Sequence, residues 1–371
     1  MSKVYLIYGY LIIILVLCGC SINISQPLPS TVSAPNSEPE NSSGTNTQIQ
    51  VPWGDLKLSG KLVYINSELG SSSKRLSLKM SILSLDLKTG ELTTVFRAPD
   101  GAWIGYASVS PDNKQLIMAY SLPQNDNAST SFGLQALYLL PLQGTMLPQL
   151  LFTPQSDKDE YYQPEWSPDG HYVYFTHANY QSATTYEIMR MAYPNGTPEH
   201  LVDQAYWPRL SRDGDRLIYV SIDPETATNK LFVAKSDGAQ ATPIPLLGTS
   251  WTSTYIDTPM FSPDHQTILF SGPSQQQSSG RNWIEKLTGV RVALAHASIP
   301  SDWWSVPLTG GEPAQLTHIY SLGLFGSLSP DMKYVASYSV DGIFVMQPDG
   351  KSLTKVVSTT GSTSGTVSWI P

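Results

Sequence analysis

Chemistry in this chain would have to come from six histidines, at positions 171, 177, 200, 265, 296 and 318, and two cysteines, at 18 and 20. His171 and His177 are the closest pair and the candidates for sharing a metal ion; taken singly, each reads as a turn or loop residue. Both cysteines fall within the first 20 residues, so the remainder has no thiol to serve as nucleophile, disulfide partner or soft metal ligand. No Gly-x-Ser-x-Gly elbow and no His-Glu-x-x-His motif occurs, and those spacings would present a serine nucleophile or a catalytic zinc. The residues point to binding rather than catalysis, with no cofactor and no metal expected.

The elements that must position the remaining polar and aromatic side chains form a repeat. Ser110-Pro111-Asp112-Asn113, Ser167-Pro168-Asp169-Gly170, Ser211-Arg212-Asp213-Gly214, Ser262-Pro263-Asp264-His265 and Ser329-Pro330-Asp331-Met332 each precede an alternating apolar run such as Tyr172-Val173-Tyr174-Phe175. Trp369-Ile370-Pro371 aligns with Trp166-Ser167-Pro168 as a shortened sixth copy. The spacings are 57, 44, 51, 67 and 41 residues; a blade of four strands takes about 40 to 45, and the excess reads as loop insertion. Proline presets the first turn position, the aspartate can accept N–H groups just beyond it, and glycine supplies a left-handed residue. Asn113 tolerates that conformation, whereas His265 and Met332 fit it less well. A second turn family follows in fixed phase, at Thr89-Gly90, Gln143-Gly144, Asn195-Gly196, Asp237-Gly238, Gly310-Gly311 and Asp349-Gly350. The pattern predicts an all-β fold, a six-bladed β-propeller of four-stranded antiparallel blades. Residues 61–65, 80–87 and 91–96 supply three strands of the first blade. Val367-Ser368-Trp369-Ile370 supplies its innermost strand and closes the ring, leaving no open edge.

In such a blade the tight turns share one face, and the opposite face carries the insertions 67–79, 121–134, 177–185 and 271–300. Loops of variable length on a rigid scaffold commonly carry binding, so the loop-bearing face is the expected ligand face. Alternation sends every second residue of the innermost strands toward the central channel. Counting back two residues from each motif serine, or from Ile370, gives Ser108, Glu165, Arg209, Met260, Ser327 and Ser368. Counting back four gives Tyr106, Gln163, Trp207, Thr258, Phe325 and Thr366. Glu165 and Arg209 fall in adjacent blades and can pair. Tyr106, Gln163, Glu165, Trp207, Arg209, Thr258 and Phe325 are the candidate binding residues at the channel mouth, where Tyr106, Trp207 and Phe325 would suit stacking against a sugar or a peptide. Within the longest insertion, Asn282-Trp283-Ile284-Glu285 has the form of a helix start and Gly289 of its end. A helix so short needs its apolar residues Trp283, Ile284 and Leu287 to pack elsewhere, which makes it a candidate lid or docking element.

Residues 1–19 carry one charge, Lys3, and an apolar run from Leu11 to Leu17. This reads as a secretory signal, too short for a comfortable membrane span. Leu17-Cys18-Gly19-Cys20 resembles a bacterial lipobox, which implies that Cys20 is lipidated and becomes the mature N-terminus; an uncleaved anchor helix would also tether the protein to a membrane. Residues 20–52 are dominated by Ser, Pro, Asn, Thr and Gln, without Lys, Arg or aromatic residues before residue 53. Such a segment buries too little apolar surface to order itself and reads as a tether with a reach of roughly 30 Å. Residues 53–371 form the propeller. The net charge of −8 becomes more negative once Lys3 is removed, which argues against nucleic acid as partner. Charged residues make up 14% of the chain against about 25% in ordinary domains, as expected for strands buried on both faces.

The unit Pro164-Glu165-Trp166-Ser167-Pro168-Asp169-Gly170 with its alternating strand resembles the repeat of periplasmic TolB-type propellers, a WD-like family. The resemblance covers residues 53–371 and is strongest over 162–220. It departs from TolB in having a tether where TolB has an additional N-terminal domain, and from propeller peptidases in lacking a hydrolase domain after the last blade. The motif turns also differ from the Asp-box of sialidases, since here the glycine directly follows the aspartate. What the resemblance implies is an exported, membrane-anchored, monomeric protein that acts as a non-enzymatic interaction scaffold for partners in the cell envelope. The alternatives are a propeller that binds a carbohydrate or peptide at its loop-bearing face, and a hydrolase of unrecognised type.

Overall fold

Each motif turn folds as one hydrogen-bonded unit. The serine hydroxyl donates to the aspartate Oδ1 at 2.7, 2.6, 2.5, 2.5 and 2.7 Å in the five copies from Ser110 to Ser329. The same carboxylate oxygen accepts the backbone N–H two residues on, and the serine oxygen accepts the N–H five residues on. With both ends fixed, the fourth residue is left-handed in every copy: Asn113, Gly170, Gly214, His265 and Met332 have φ of 58, 73, 78, 57 and 62°. His265 and Met332, disfavoured there by residue type, are held by the bonds on either side. The sequence reading gave the proline and the aspartate their roles and missed the serine.

This arrangement comes from a computed structural model that describes residues 47–48, 53, 56–72, 75–123, 133–144, 147–180, 185–223, 226, 228–248, 255–275, 299–359 and 365–371. The leader, Cys20, most of the tether, and the lid candidates Trp283, Ile284 and Leu287 lie outside the described residues. The described residues belong to one compact unit, Thr47–Pro371. It contains six antiparallel sheets, and their innermost strands are Val367–Ile370, Trp103–Val109, Asp159–Trp166, Ala205–Leu210, Asp257–Phe261 and Phe325–Leu328, taken as blades one to six.

The first blade closes the ring. Val367–Ile370 pairs with the strand Lys61–Ser72 in the register Lys61↔Ile370, Leu62↔Trp369, Val63↔Ser368 and Tyr64↔Val367. Trp369 locks the junction: it is buried, donates Nε1–H to the Ser59 carbonyl at 2.9 Å and stacks on Tyr334 of the sixth blade. Trp53 adds a second rivet, buried with its Nε1–H on the Leu87 carbonyl at 2.8 Å.

Two expectations change in this blade. The segment 67–79 is not a loop, because the strands Lys61–Ser72 and Arg75–Asp86 stay paired out to Ser72↔Arg75. Thr47–Gln48, which falls within the expected tether, is a fifth, outermost strand paired with Glu91 and Leu92.

The motif aspartates give the fold a pH dependence. Asp112, Asp169, Asp213 and Asp264 are held below the usual carboxylate range chiefly by the serine hydroxyl. At Asp331 burial pushes upward and is outweighed by the bonds from Ser329 and Lys333. Protonation therefore favours the unfolded chain. The contribution is complete above the unfolded value of about 3.9 and is lost as the pH falls through the lower folded values. Urea denaturation repeated from pH 7 to pH 3 should show stability falling below about pH 4, with a shallower acid slope in Asp169→Asn. Identical slopes in parent and variant would remove these turns from the pH response.

Candidate functional site

The innermost strands converge on the channel, and their bulges aim the inward side chains. In blades three, four and five one residue of the second strand faces two of the first, at Gln163-Pro164, Trp207-Pro208 and Thr258-Pro259. Proline suits the extra position because it has no N–H to leave unpaired. The residue before it is left-handed each time, with φ of 54° at Gln163, 57° at Trp207 and 45° at Thr258. Three X-Pro pairs at one motif position were a readable signal for these bulges, and the sequence reading passed over it.

The upper ring alternates by chemistry. Odd blades supply Thr366, Gln163 and Thr258; even blades supply Tyr106, Trp207 and Phe325. Each polar residue reaches the backbone of the next blade: Thr366 Oγ1 accepts from Ala107 N at 2.8 Å, Gln163 Oε1 from Trp207 N at 2.9 Å, and Thr258 Oγ1 from Gly326 N at 3.4 Å. The three aromatic rings meet at the axis. Tyr106 stands edge-on to Trp207 at 5.4 Å and to Phe325 at 6.1 Å, and Trp207 lies 5.5 Å from Phe325. Trp207 also donates Nε1–H to Asp257 at 2.9 Å. The aromatic residues expected at the channel mouth pack as a plug: Trp207 is 3% and Phe325 7% exposed, and Tyr106 stands edge-on against both.

Below the plug the lower ring opens into a cavity of about 470 Å³. Its floor includes Tyr106, Gln163 and Trp207; its wall is Ser108, Glu165, Arg209, Met260, Ser327 and Ser368; and its rim includes Pro111, Pro168 and Pro330. Those prolines belong to the motif turns, so the cavity opens on the tight-turn face and not on the loop-bearing face where the ligand was expected. Among the described residues, Tyr106, Trp207 and Phe325 separate this cavity from the loop-bearing face.

Glu165 and Arg209 pair across the wall as expected, with Nη1 3.0 Å from Oε2 and each side chain 19% exposed. Arg209 also reaches across to the sixth blade, where Nη2 donates to the Gly326 carbonyl at 3.1 Å. Burial pushes the Glu165 carboxyl above its ordinary range, and Arg209 offsets part of that push. The remaining wall is hydroxyl and thioether, and Arg212 and His265 also line the cavity.

His171 and His177, the candidate pair for a shared metal ion, do not come together. His171 sits in a motif turn beside Asp169, whereas His177 is near the far end of the strand Tyr172–Asn179. It is neither turn nor loop: it is stacked on Tyr161 and held between Asp159 and Glu187.

These features define the class of protein as a six-bladed β-propeller, closed by pairing of its last described strand with 61–64, plugged near mid-channel and hollow on the tight-turn side. The chain is similar to a TolB-type protein from Agrobacterium tumefaciens, at 18% identity over 85% of this chain and 99% of that one with a TM-score of 0.51. It is also similar to TolB from Acinetobacter baumannii, at 15% identity over 83% of this chain and 66% of that one with a TM-score of 0.53. An oligogalacturonate lyase from Vibrio parahaemolyticus aligns at 10% identity over 82% of this chain and 88% of that one, with a TM-score of 0.46. No family model and no curated protein sequence matches the chain. The TolB-like propeller that the motif resemblance implied is the fold of this protein.

The wall pair can be tested directly. Arg209→Met leaves Glu165 in the cavity without its guanidinium. It should cost about 2–3 kcal/mol, less than the loss of one partner from a wholly buried pair because each side chain keeps some contact with water. Glu165→Gln combined with Arg209→Met should recover most of that loss in chemical denaturation. A single variant as stable as the parent would mean the pair holds nothing together.

Proposed function

We propose that this chain is an exported, membrane-tethered binding propeller that offers the cavity on its tight-turn face to a partner protein of the cell envelope and performs no chemistry of its own. The cavity carries this reading. It is a preformed hollow in a closed ring, Glu165 and Arg209 engage one another in its wall, and its size suits a short segment of a partner chain. The likeness of fold to TolB adds support for a protein partner. In this reading the insertion with Trp283, Ile284 and Leu287 is an additional docking element on the opposite face, and the propeller acts as a monomer.

Filling the cavity tests the site. Ser327→Trp places an indole in the wall and should leave the melting temperature within a few degrees of the parent. It should also abolish retention of the envelope protein that the parent captures from solubilised membranes. Retention by the filled variant would move binding away from the cavity, and release of the partner by a soluble glycan would favour a carbohydrate site instead.

Lipidation of Cys20 accounts for the tether in this reading. Cys20→Ser should shift the protein from the membrane pellet to the soluble fraction, and mass spectrometry of the mature N-terminus should find the acyl chains on Cys20. A variant that stays in the pellet would replace the lipid by an anchor helix.

A further inference from the structure

Away from the channel, metal-ligating side chains converge at the outer edge of the third blade. Glu187 lies on the strand Thr185–Ala192, and His200 and Asp203 lie on the neighbouring strand Glu199–Asp203. His200 Nε2 is 3.0 Å from Asp203 Oδ1 and 3.5 Å from Glu187 Oε2, and one donor atom from each of the three residues falls within 4.8 Å of the others. Zinc bonded at about 2.05 Å in tetrahedral geometry holds its donors about 3.4 Å apart, so small side-chain rotations would seat a cation among these atoms.

The strand register gives a separate reason for a cation here. Glu187 is directly opposite Asp203, a placement in which like charges cost stability across an antiparallel pair. Among the described residues neither carboxylate is paired with a lysine or arginine; their ionic partners are His177 and His200. A bulge between Ile188 and Met189 brings His200 into register with Met189.

The group behind the carboxylate is rigid. Glu187 Oε1 is 2.6 Å from His177 Nδ1, and His177 Nε2 is 3.0 Å from Asp159 Oδ1. Asp159 is itself buried and accepts from Asn179 Nδ2 and Ser156 N, each at 2.7 Å. His177 thereby fixes the orientation of Glu187 with Oε2 directed at His200, the way an outer hydrogen bond orients a metal-bound carboxylate.

We propose that Glu187, His200 and Asp203 bind a divalent cation of the zinc class, with His177 and Asp159 positioning Glu187. One imidazole with two carboxylates selects for such a cation over calcium or magnesium, whose preferred donors are all oxygen. Asp203 is 84% exposed at its side chain, so the remaining coordination position faces solvent and is open to water or to a donor group from another molecule. The site is separate from the channel and does not depend on what the cavity binds.

Zinc chloride titrated calorimetrically into the full chain, after removal of metal with a chelator, should bind with one equivalent per chain. His200→Ala and Asp203→Asn should each weaken it by at least about tenfold. His177→Gln should weaken it by about 10- to 100-fold without changing the stoichiometry. The metal-free melting temperature of His200→Ala should stay within a few degrees of the parent, and that of Asp203→Asn should be no lower than the parent, since it removes a like charge opposite Glu187. Calcium chloride should bind more weakly than zinc by at least about tenfold. Zinc affinity weaker than about 1 mM, or one-equivalent binding that survives His200→Ala in a variant that melts like the parent, would overturn the assignment; the second result would place the cation elsewhere, for instance at His171 and Asp169.

Discussion

Six strands that converge on one axis leave room for few side chains at each level, and that crowding governs the rest of this structure. Tyr106, Trp207 and Phe325 come from alternate blades and meet at the axis. Three large rings at the axis leave no room for three more, so the intervening blades carry Thr366, Gln163 and Thr258, which turn sideways to the backbone of the next blade. One ring of six residues thereby fills the axis and joins the blades in pairs. The bulges at Gln163, Trp207 and Thr258 place these side chains at a point where a regular ladder would have sent them elsewhere.

The cavity follows from the same constraint. One level below the plug the residues are smaller, Ser108, Ser327 and Ser368 on one side and the Glu165–Arg209 pair on the other, and space remains. Burial pushes the carboxyl there upward; the guanidinium beside it offsets part of that push and also ties the fourth blade to the sixth through Gly326. The cavity is thus built from groups that stabilise the ring, which gives a partner a firm surface to read.

Much of this architecture was legible in the chain. The recurring Ser-x-Asp turn, the glycine turns in fixed phase behind it and the unmatched strand Val367–Ile370 gave the blade count, the closure and the candidates for both channel rings, because each position is fixed by its place in the repeat; the bulges that aim the upper ring were not read. The Glu165–Arg209 pair was legible for the same reason, as opposite charges at equivalent positions of adjacent blades. Less local features were missed. Alternation marks which residues point inward but not whether their rings touch, so the plug read as an open mouth. A hairpin that continues to Ser72↔Arg75 has the composition of a loop, since Ser and Gly at 67–73 carry little strand signal.

What the sequence determined by itself is therefore the fold class, the number and phase of the blades and the identity of the residues facing the axis, all written in a repeat of local turns and strands, together with the ring closure, which follows from one strand left unmatched at each end of that repeat although the two segments lie about 300 residues apart. Tertiary structure alone decided which face of the channel is hollow. It also decided that His177 serves Glu187 rather than His171, and that Glu187, His200 and Asp203 meet at a blade edge. These outcomes depend on distances between residues on different strands or different blades, fixed by how six twisted sheets pack around a common axis, and no spacing along one strand encodes them.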